Sequence, residues 1–214
     1  MERLTERLRL RMWRDADLDP LAALDGDPEV MRYIGDGAPL TRDQVADSLA
    51  RLRKGWQERG FGRFAVDVQG TGEFAGWVGL AVPDFLPEVM PAVEIGWRLR
   101  REHWGRGYAP EAAREVLAFG FEEVGLQEII SIADIRNQAS LRVMTKLGMR
   151  LTCRTTVPRS GRPVQVTRIT REEYAAVLGG AMSDAPAPRR HDWLGSGRAG
   201  RQNGSMQSGA SSVG

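Results

Sequence analysis

Glu94 is the one carboxylate in an otherwise apolar run, Val93-Glu94-Ile95-Gly96-Trp97. Inside a buried strand, desolvation lifts such a carboxyl toward neutrality and fits it to take up a proton at pH 7. The alternative is a structural carboxylate, turned to water or paired with an arginine. Shortly after it comes Trp104-Gly105-Arg106-Gly107-Tyr108-Ala109-Pro110. Its two glycines permit a tight turn with inward-facing amides, and Pro110 suits the first turn of a helix. Amides converging with a helix N-terminus make a site for a phosphate or pyrophosphate. Arg106 can pair with such a group directly. A turn of this kind is also a common plain connection. Neither a Walker lysine nor a dinucleotide Gly-x-Gly-x-x-Gly accompanies it. Downstream, Asn137 and Ser140 open a helical pattern, as ligand partners or as caps of their own helix.

These residues need elements to hold them. Charged and apolar residues alternate from Arg7 to Trp13, which predicts a half-exposed strand. Asp15-Ala16-Asp17 and Asp27-Pro28-Glu29 are helix starts, and Thr41 with Gln44 reads as a capping box. The helix it opens buries Val45, Leu49, Leu52 and Trp56 and ends at Gly60 and Gly62. Strands are expected over 64–68 and 74–82 about the Gly70-Thr71-Gly72 turn, then a proline-rich loop, then a strand over 92–99. Further expectations are a helix over 108–124, a strand over 128–133 and a helix over 137–147 stopped by Gly148. Two strands, 149–157 and 164–169, and a short helix over 171–178 complete an α+β domain over 3–178. From 181 to 214 Gly, Ser, Ala, Pro and Arg dominate, the composition of a disordered tail.

Charge and composition remove other classes of function. The net charge of +2 calls for neither a nucleic-acid nor a membrane partner. The charged start MERLTERLRLR is no secretory signal, and no apolar run is long enough to span a bilayer. Cys153 is the only cysteine, so no internal disulfide forms and a reducing, cytoplasmic compartment is expected. It reads as a small buried apolar group. His103, expected at the surface beside the turn, and His191 in the tail make neither a metal site nor a hydrolase triad. Trp13, Trp56, Trp77 and Trp97 read as core.

Three blocks in order, TERLRLR, VEIGWRLRREHWGRGYAPEA and NQASLRVMTKLGM, resemble the GCN5-related N-acetyltransferase (GNAT) superfamily, most of all its RimJ/RimL-like branch. Together they span most of residues 3–178 and are improbable by chance. The resemblance implies a mixed, mostly antiparallel sheet of six to seven strands, splayed between strands 4 and 5 and flanked by about four helices. Acetyl-CoA, the acyl donor, would lie in the splay. It would run along Ile95, Trp97 and Leu99, with its pyrophosphate on Gly105, Arg106, Gly107, Tyr108 and Ala109, and Asn137 and Ser140 on its pantetheine arm. No metal is implied. The implied activity is transfer of an acetyl group to a primary amine by direct attack in a ternary complex. A protein N-terminal α-amino group leads as acceptor. A small-molecule amine (antibiotic or polyamine) or a catalytically weak acyl-CoA-binding regulator is the alternative, and a homodimer is compatible. The acceptor groove is expected near 31–34 and the loop 83–91. Glu94 would be the base, and a backbone N–H between Ile95 and Trp97, at a bulge marked by Gly96, would meet the oxyanion. Two departures from the family pattern stand out. Trp104 fills a Gln/Arg position, and Met144 stands where many members carry the tyrosine that protonates the leaving thiolate. Ser140 is the substitute acid.

Overall fold

The computed structural model describes residues 1–177. Leu178 and the 181–214 segment lie outside the described residues. Eight strands form one sheet: β1 (Glu2–Leu4), β2 (Leu8–Arg11), β3 (Arg63–Val68), β4 (Phe74–Ala81), β5 (Glu94–Leu99), β6 (Glu128–Asp134), β7 (Arg150–Thr156) and β8 (Pro163–Thr170). The spatial order is β1-β2-β3-β4-β5-β6-β8-β7, antiparallel throughout except between β5 and β6. The strand count therefore exceeds the expected six to seven. Glu2–Leu4 is too short and too charged to be read as a strand from its pattern, yet it pairs with β2. The extra strand moves the parallel junction to β5 and β6.

The described residues include six α-helices: α1 (Leu18–Asp25), α2 (Pro28–Met31), α3 (Arg42–Arg59), α4 (Tyr108–Ala118), α5 (Gln138–Lys146) and α6 (Arg171–Val177). The helix expected over 108–124 is α4 continued by a π-helical turn over Phe119–Glu123. Thr41 caps α3 as read: its hydroxyl accepts from Gln44 N–H at 3.3 Å, and the Gln44 amide oxygen accepts from Thr41 N–H at 2.8 Å. Such a cap stabilises a helix by about 1 kcal/mol.

The alternation of β5 divides the molecule into two faces. Ile95, Trp97 and Leu99 point to the larger core, with Val116 and Leu117 of α4 and Phe64 and Val78 of neighbouring strands. The other face packs α1 and α3 through Leu21, Leu24, Val45 and Leu49 onto Ala65, Phe74 and Trp77. A buried ionic knot ties α1 to the sheet. The Arg11 guanidinium on β2 donates to both oxygens of Asp17 at 2.8 Å and to Asp67 of β3 at 2.6 and 3.0 Å. Burial disfavours the Asp17 anion, but Arg11 and the Arg14 N–H outweigh it and hold that carboxyl below its usual range.

Candidate active site

The junction of β5 and β6 closes at one end and opens at the other. Glu94 pairs in parallel register with Ile130, the only such pair between the two strands. The Ile130 N–H donates to the Val93 carbonyl at 3.0 Å. One step along, the Ser131 hydroxyl donates to the Ile95 carbonyl at 2.9 Å. Beyond this point the strands diverge. Main-chain groups of alternate residues share an edge of a strand. The carbonyls of Val93 and Ile95 face β6, so the N–H groups of Trp97 and Leu99 face the gap. The bulge expected at Gly96 is absent: β4 and β5 pair without a shift from Gly76↔Leu99 to Ala81↔Glu94. The glycine that geometry does demand is its register partner, Gly79. A β-carbon there would lie 2.2 Å from the Arg63 Cα. At Gly96 a β-carbon would only touch the Trp77 ring at 3.5 Å, an ordinary contact.

At the far end of β5, the Trp104 indole N–H donates to the Leu99 carbonyl at 2.8 Å and so fastens the turn to the strand. Gly107 is the N-cap of α4 with φ of +80°, in the left-handed region where side chains are strained. The Glu111 N–H donates to the Gly107 carbonyl. The N–H groups of Tyr108 and Ala109 precede this bond and have no helical acceptor. Arg7 braces the turn by donating to the Arg106 carbonyl at 2.9 Å and pairing with Glu111. The Arg106 side chain is exposed. This is the local chemistry a pyrophosphate requires: uncommitted amides, a helix N-terminus and a free guanidinium. These residues fit the implied acyl donor.

His103 is not at the surface. It is 3% exposed, its ring lies 5.8 Å from that of Tyr108, and neither ring nitrogen has a hydrogen-bond partner among the described residues. Its Nε2 lies 3.6 Å from the Glu73 carboxylate, a tertiary neighbour invisible in a run reading Arg-Glu-His-Trp. Trp97 is half-buried, whereas Trp13, Trp56 and Trp77 are core. Cys153 is half-buried against the small cluster around Leu86 and Val166.

Glu94 is buried, and burial pushes its carboxyl up to about 7, partly opposed by the charge of Arg63 and by a hydrogen bond from the Ile132 N–H. Burial excludes the solvent-facing reading of this residue, and the charge of Arg63 beside it leaves the arginine-paired reading standing next to the catalytic one. Asn137 takes its capping role: its side-chain oxygen accepts from the Ser140 N–H at 3.1 Å at the start of α5. The Ser140 hydroxyl has no hydrogen bond among the described residues. Met144 is 1% exposed, one turn further along α5 and part of the larger core.

On the α1–α3 face lies a cavity of about 370 Å³, and pattern reading missed its walls. Leu21 and Asp25 of α1, Arg51 and Arg59 of α3, Arg63, Trp77, Ala81 and Arg98 line it, with Asp84 at the rim. Ala81 is the register partner of Glu94, so the cavity adjoins the closed end of the splay. The segment near 31–34 does not line it, Met31 being buried, and the loop 83–91 contributes Asp84 alone. The signal that was available is the alternation of β5, which puts Glu94, Gly96 and Arg98 on one face.

Residues 7–150 match the acetyltransferase (GNAT) domain family. The chain is 38% identical over 149 residues to the Bacillus subtilis protein YkkB, covering 68% of this chain and 83% of that one. It is also 38% identical over 131 residues to an Aspergillus fumigatus FsC-acetyl coenzyme A-N(2)-transacetylase, covering 59% of this chain and 55% of that enzyme. Among solved structures, a GNAT-family acetyltransferase from Bacillus anthracis superposes with a TM-score of 0.68 at 26% identity, over 80% of this chain and 99% of that one. A Vibrio cholerae spermidine N-acetyltransferase in complex with CoA and spermine shares the fold, with a TM-score of 0.64 at 19% identity over 78% of this chain and 97% of that one. The parallel junction that opens beyond Glu94, the free amides at the start of α4 and the match over residues 7–150 agree: this chain belongs to the GNAT family of N-acetyltransferases.

Proposed function

We propose that this protein transfers the acetyl group of acetyl-CoA to a primary amine by direct attack, with Glu94 as the base. The observation that carries the reading is the position of Glu94: a buried carboxyl near pKa 7 where β5 and β6 part, one strand from the cavity. The donor lies along Ile95, Trp97 and Leu99. Its pyrophosphate rests on the amides of Gly105 to Ala109, beside Arg106, and Asn137 and Ser140 meet the pantetheine arm.

The amine nitrogen attacks the thioester carbonyl carbon, forming the C–N bond as the carbonyl oxygen takes negative charge. The Trp97 N–H on the open strand edge stabilises that oxyanion. Collapse breaks the C–S bond. The proton lost by the nitrogen passes to Glu94, directly or through one water, and the thiolate leaves with a proton from the Ser140 hydroxyl or from solvent. A thiol with pKa about 8.5 needs only mild assistance as a leaving group. The Ser131 hydroxyl at the junction is committed to the Ile95 carbonyl and Cys153 packs on the Leu86–Val166 cluster, which supports a ternary complex over a covalent intermediate.

An α-amino group, with pKa about 8, loses its proton far more readily at neutral pH than a lysine amine at about 10.4. That difference, with the resemblance to the RimJ/RimL-like branch, supports an α-amine acceptor. A polyamine, one of the small-molecule alternatives, gains nothing from the spermidine enzyme, whose identity to this chain is too low to carry substrate. Release of CoA with a panel of amines tests the reading. Turnover with a slope in kcat/KM breaking near pH 7 is expected. Tight acetyl-CoA binding without turnover on any amine would replace the enzyme by an acyl-CoA-binding protein.

A further inference from the structure

The cavity beside Glu94 has an excess of positive charge that its own walls do not neutralise. Four arginines, Arg51, Arg59, Arg63 and Arg98, line it against two aspartates, Asp25 and Asp84. Arg98 is committed, since its guanidinium pairs with Asp25 at 2.5 Å. Arg51 donates to the Ser48 hydroxyl at 2.8 Å and has no carboxylate partner among the described residues. Arg63 is the telling one. Its guanidinium lies 4.5 Å from the centre of the Trp77 ring, with Arg98 5.1 Å from the same ring. Among the described residues its guanidinium has no hydrogen bond or ion pair. Glu94 and Asp25 favour its charge only from beyond ion-pair distance, and a guanidinium in a cavity without a direct counter-ion is costly unless a ligand supplies one.

The contrast with a second hollow sharpens this. A cavity of about 430 Å³ between α1, α2 and residues 100–102 also has charged walls. There the charges are spoken for: Arg101 pairs with Asp27 at 2.7 Å and Arg100 with Glu102 at 2.5 Å. Of these two cavities, the one next to Glu94 leaves cations open among the described residues. The Trp77 ring backs the Arg63 guanidinium, whose uncommitted N–H groups a carboxylate can meet with two parallel hydrogen bonds.

We infer that this cavity takes an acceptor with both a primary amine and a carboxylate, Arg63 receiving the carboxylate with help from Arg51 and Arg59. The inference rests on the acetyltransferase reading of the same site and narrows its substrate to a small amino-carboxylate. About 370 Å³ suits a small molecule. The open arginines disfavour a polyamine, which would bring further positive charge beside them.

The test uses the full chain with acetyl-CoA and matched acceptor pairs: a small α-amino acid and its primary amide, and an acidic and an amidated N-terminal tripeptide. Spermidine is the cationic control. The free amino acid should exceed its amide at least tenfold in kcat/KM, with spermidine below both. In Arg63→Met, which keeps apolar contact with Trp77, that ratio should fall to near one while acetyl-CoA affinity holds. Arg51→Gln with Arg59→Gln, both exposed on α3, should lower the ratio severalfold and carries the test if Arg63→Met does not fold. A preference confined to the acidic tripeptide would overturn the small-molecule assignment. Equal rates for acid and amide, a preference for spermidine, or an unaltered ratio in the arginine variants would overturn the anion site. If no amine turns over, the same pairs are compared by calorimetric binding to the CoA-loaded protein. A preference for the carboxylate that Arg63→Met removes would leave the anion site standing and the enzymatic reading lost; equal binding would end both.

Discussion

The two halves of the proposed site are built from different materials. The donor half is main chain: the strand edge at Trp97 and Leu99, and the amides that start α4. The acceptor half is side chain: Glu94, Arg63, the Arg98–Asp25 pair and the Trp77 ring that two arginines face. Amides belong to every residue, so a main-chain site survives exchange of its side chains. Trp104 illustrates this: its side chain anchors the turn from behind, through a bond to the Leu99 carbonyl, and leaves the amides free. The acceptor half has no such tolerance. Each of its charges depends on burial and on a particular neighbour, and the same features give it a titration and a preference among substrates.

The sharpest way to break this contrast is Glu94→Gln. A general base contributes about 10²- to 10⁴-fold to rate, so kcat should fall by at least two orders of magnitude. The KM for acetyl-CoA should barely move, because that half rests on amides. The wild-type profile of kcat/KM should rise with pH and level off above about 7, and the variant should lack this limb. An unchanged rate across pH would remove Glu94 from the mechanism.

The same residue makes a stability prediction of the next size. Its folded value of about 7 lies above an ordinary value of 4.5, so the native state holds its proton more tightly than the unfolded chain. Its contribution is therefore fully present below about 4.5 and is lost as pH rises through 7. The difference amounts to on the order of 3 kcal/mol. Denaturant titrations should show Glu94→Gln gaining on the wild type by this order between pH 4 and pH 8. A difference independent of pH would mean that the carboxyl is already ionised in the folded protein.

The two halves were also unequally legible in the sequence. A main-chain site announces itself through residues that shape backbone, and the pair Gly105 and Gly107 with Pro110 marks the turn and the start of α4 directly. Glu94 was legible because one carboxylate interrupts an apolar strand. Arg51, Arg59 and Arg63 carried no such mark. An arginine on a helix or at a strand end has the same local pattern whether it faces water or a cavity, and only the packing of α1 and α3 on β3–β5 decides which. His103 fails for the same reason, since its burial comes from the fold of the turn around Tyr108 and not from its neighbours in sequence. Gly96 was misread because a glycine within a strand has two meanings, a bulge or an open space beside it. The unbroken β4–β5 register rules out the first, and the Trp77 ring borders the space a β-carbon would fill.

Gly107→Val probes the donor half. A side chain there must adopt φ of +80° and would bring its β-carbon to 3.4 Å from the Arg7 guanidinium that braces the turn. A left-handed conformation costs an ordinary residue about 1–2 kcal/mol, and the turn relieves it by moving. We expect the Kd for acetyl-CoA to rise about tenfold, measured calorimetrically, with the pH at which kcat/KM levels off unmoved. If that pH shifts as well, the two halves are coupled and the division drawn above fails. If affinity is unchanged, the pyrophosphate lies elsewhere.

Ser140→Ala should have the smallest effect and decides how the thiolate leaves. Met144 is packed into the core and offers no proton, so the acid role falls to the Ser140 hydroxyl or to solvent. A thiolate is a good leaving group near its own pKa of about 8.5, so assistance is worth only a few-fold at pH 7 and nothing above pH 9. The expected outcome is a two- to five-fold drop in kcat at neutral pH that vanishes as pH rises. The helix should be untouched, because the Asn137 cap engages the Ser140 main chain and not its hydroxyl. Asn137→Ala gives the converse, losing about 1 kcal/mol of stability with the removal of that cap. Equal rates for Ser140→Ala and wild type at pH 6.5 would assign the proton to water and leave α5 a purely structural part of the donor half.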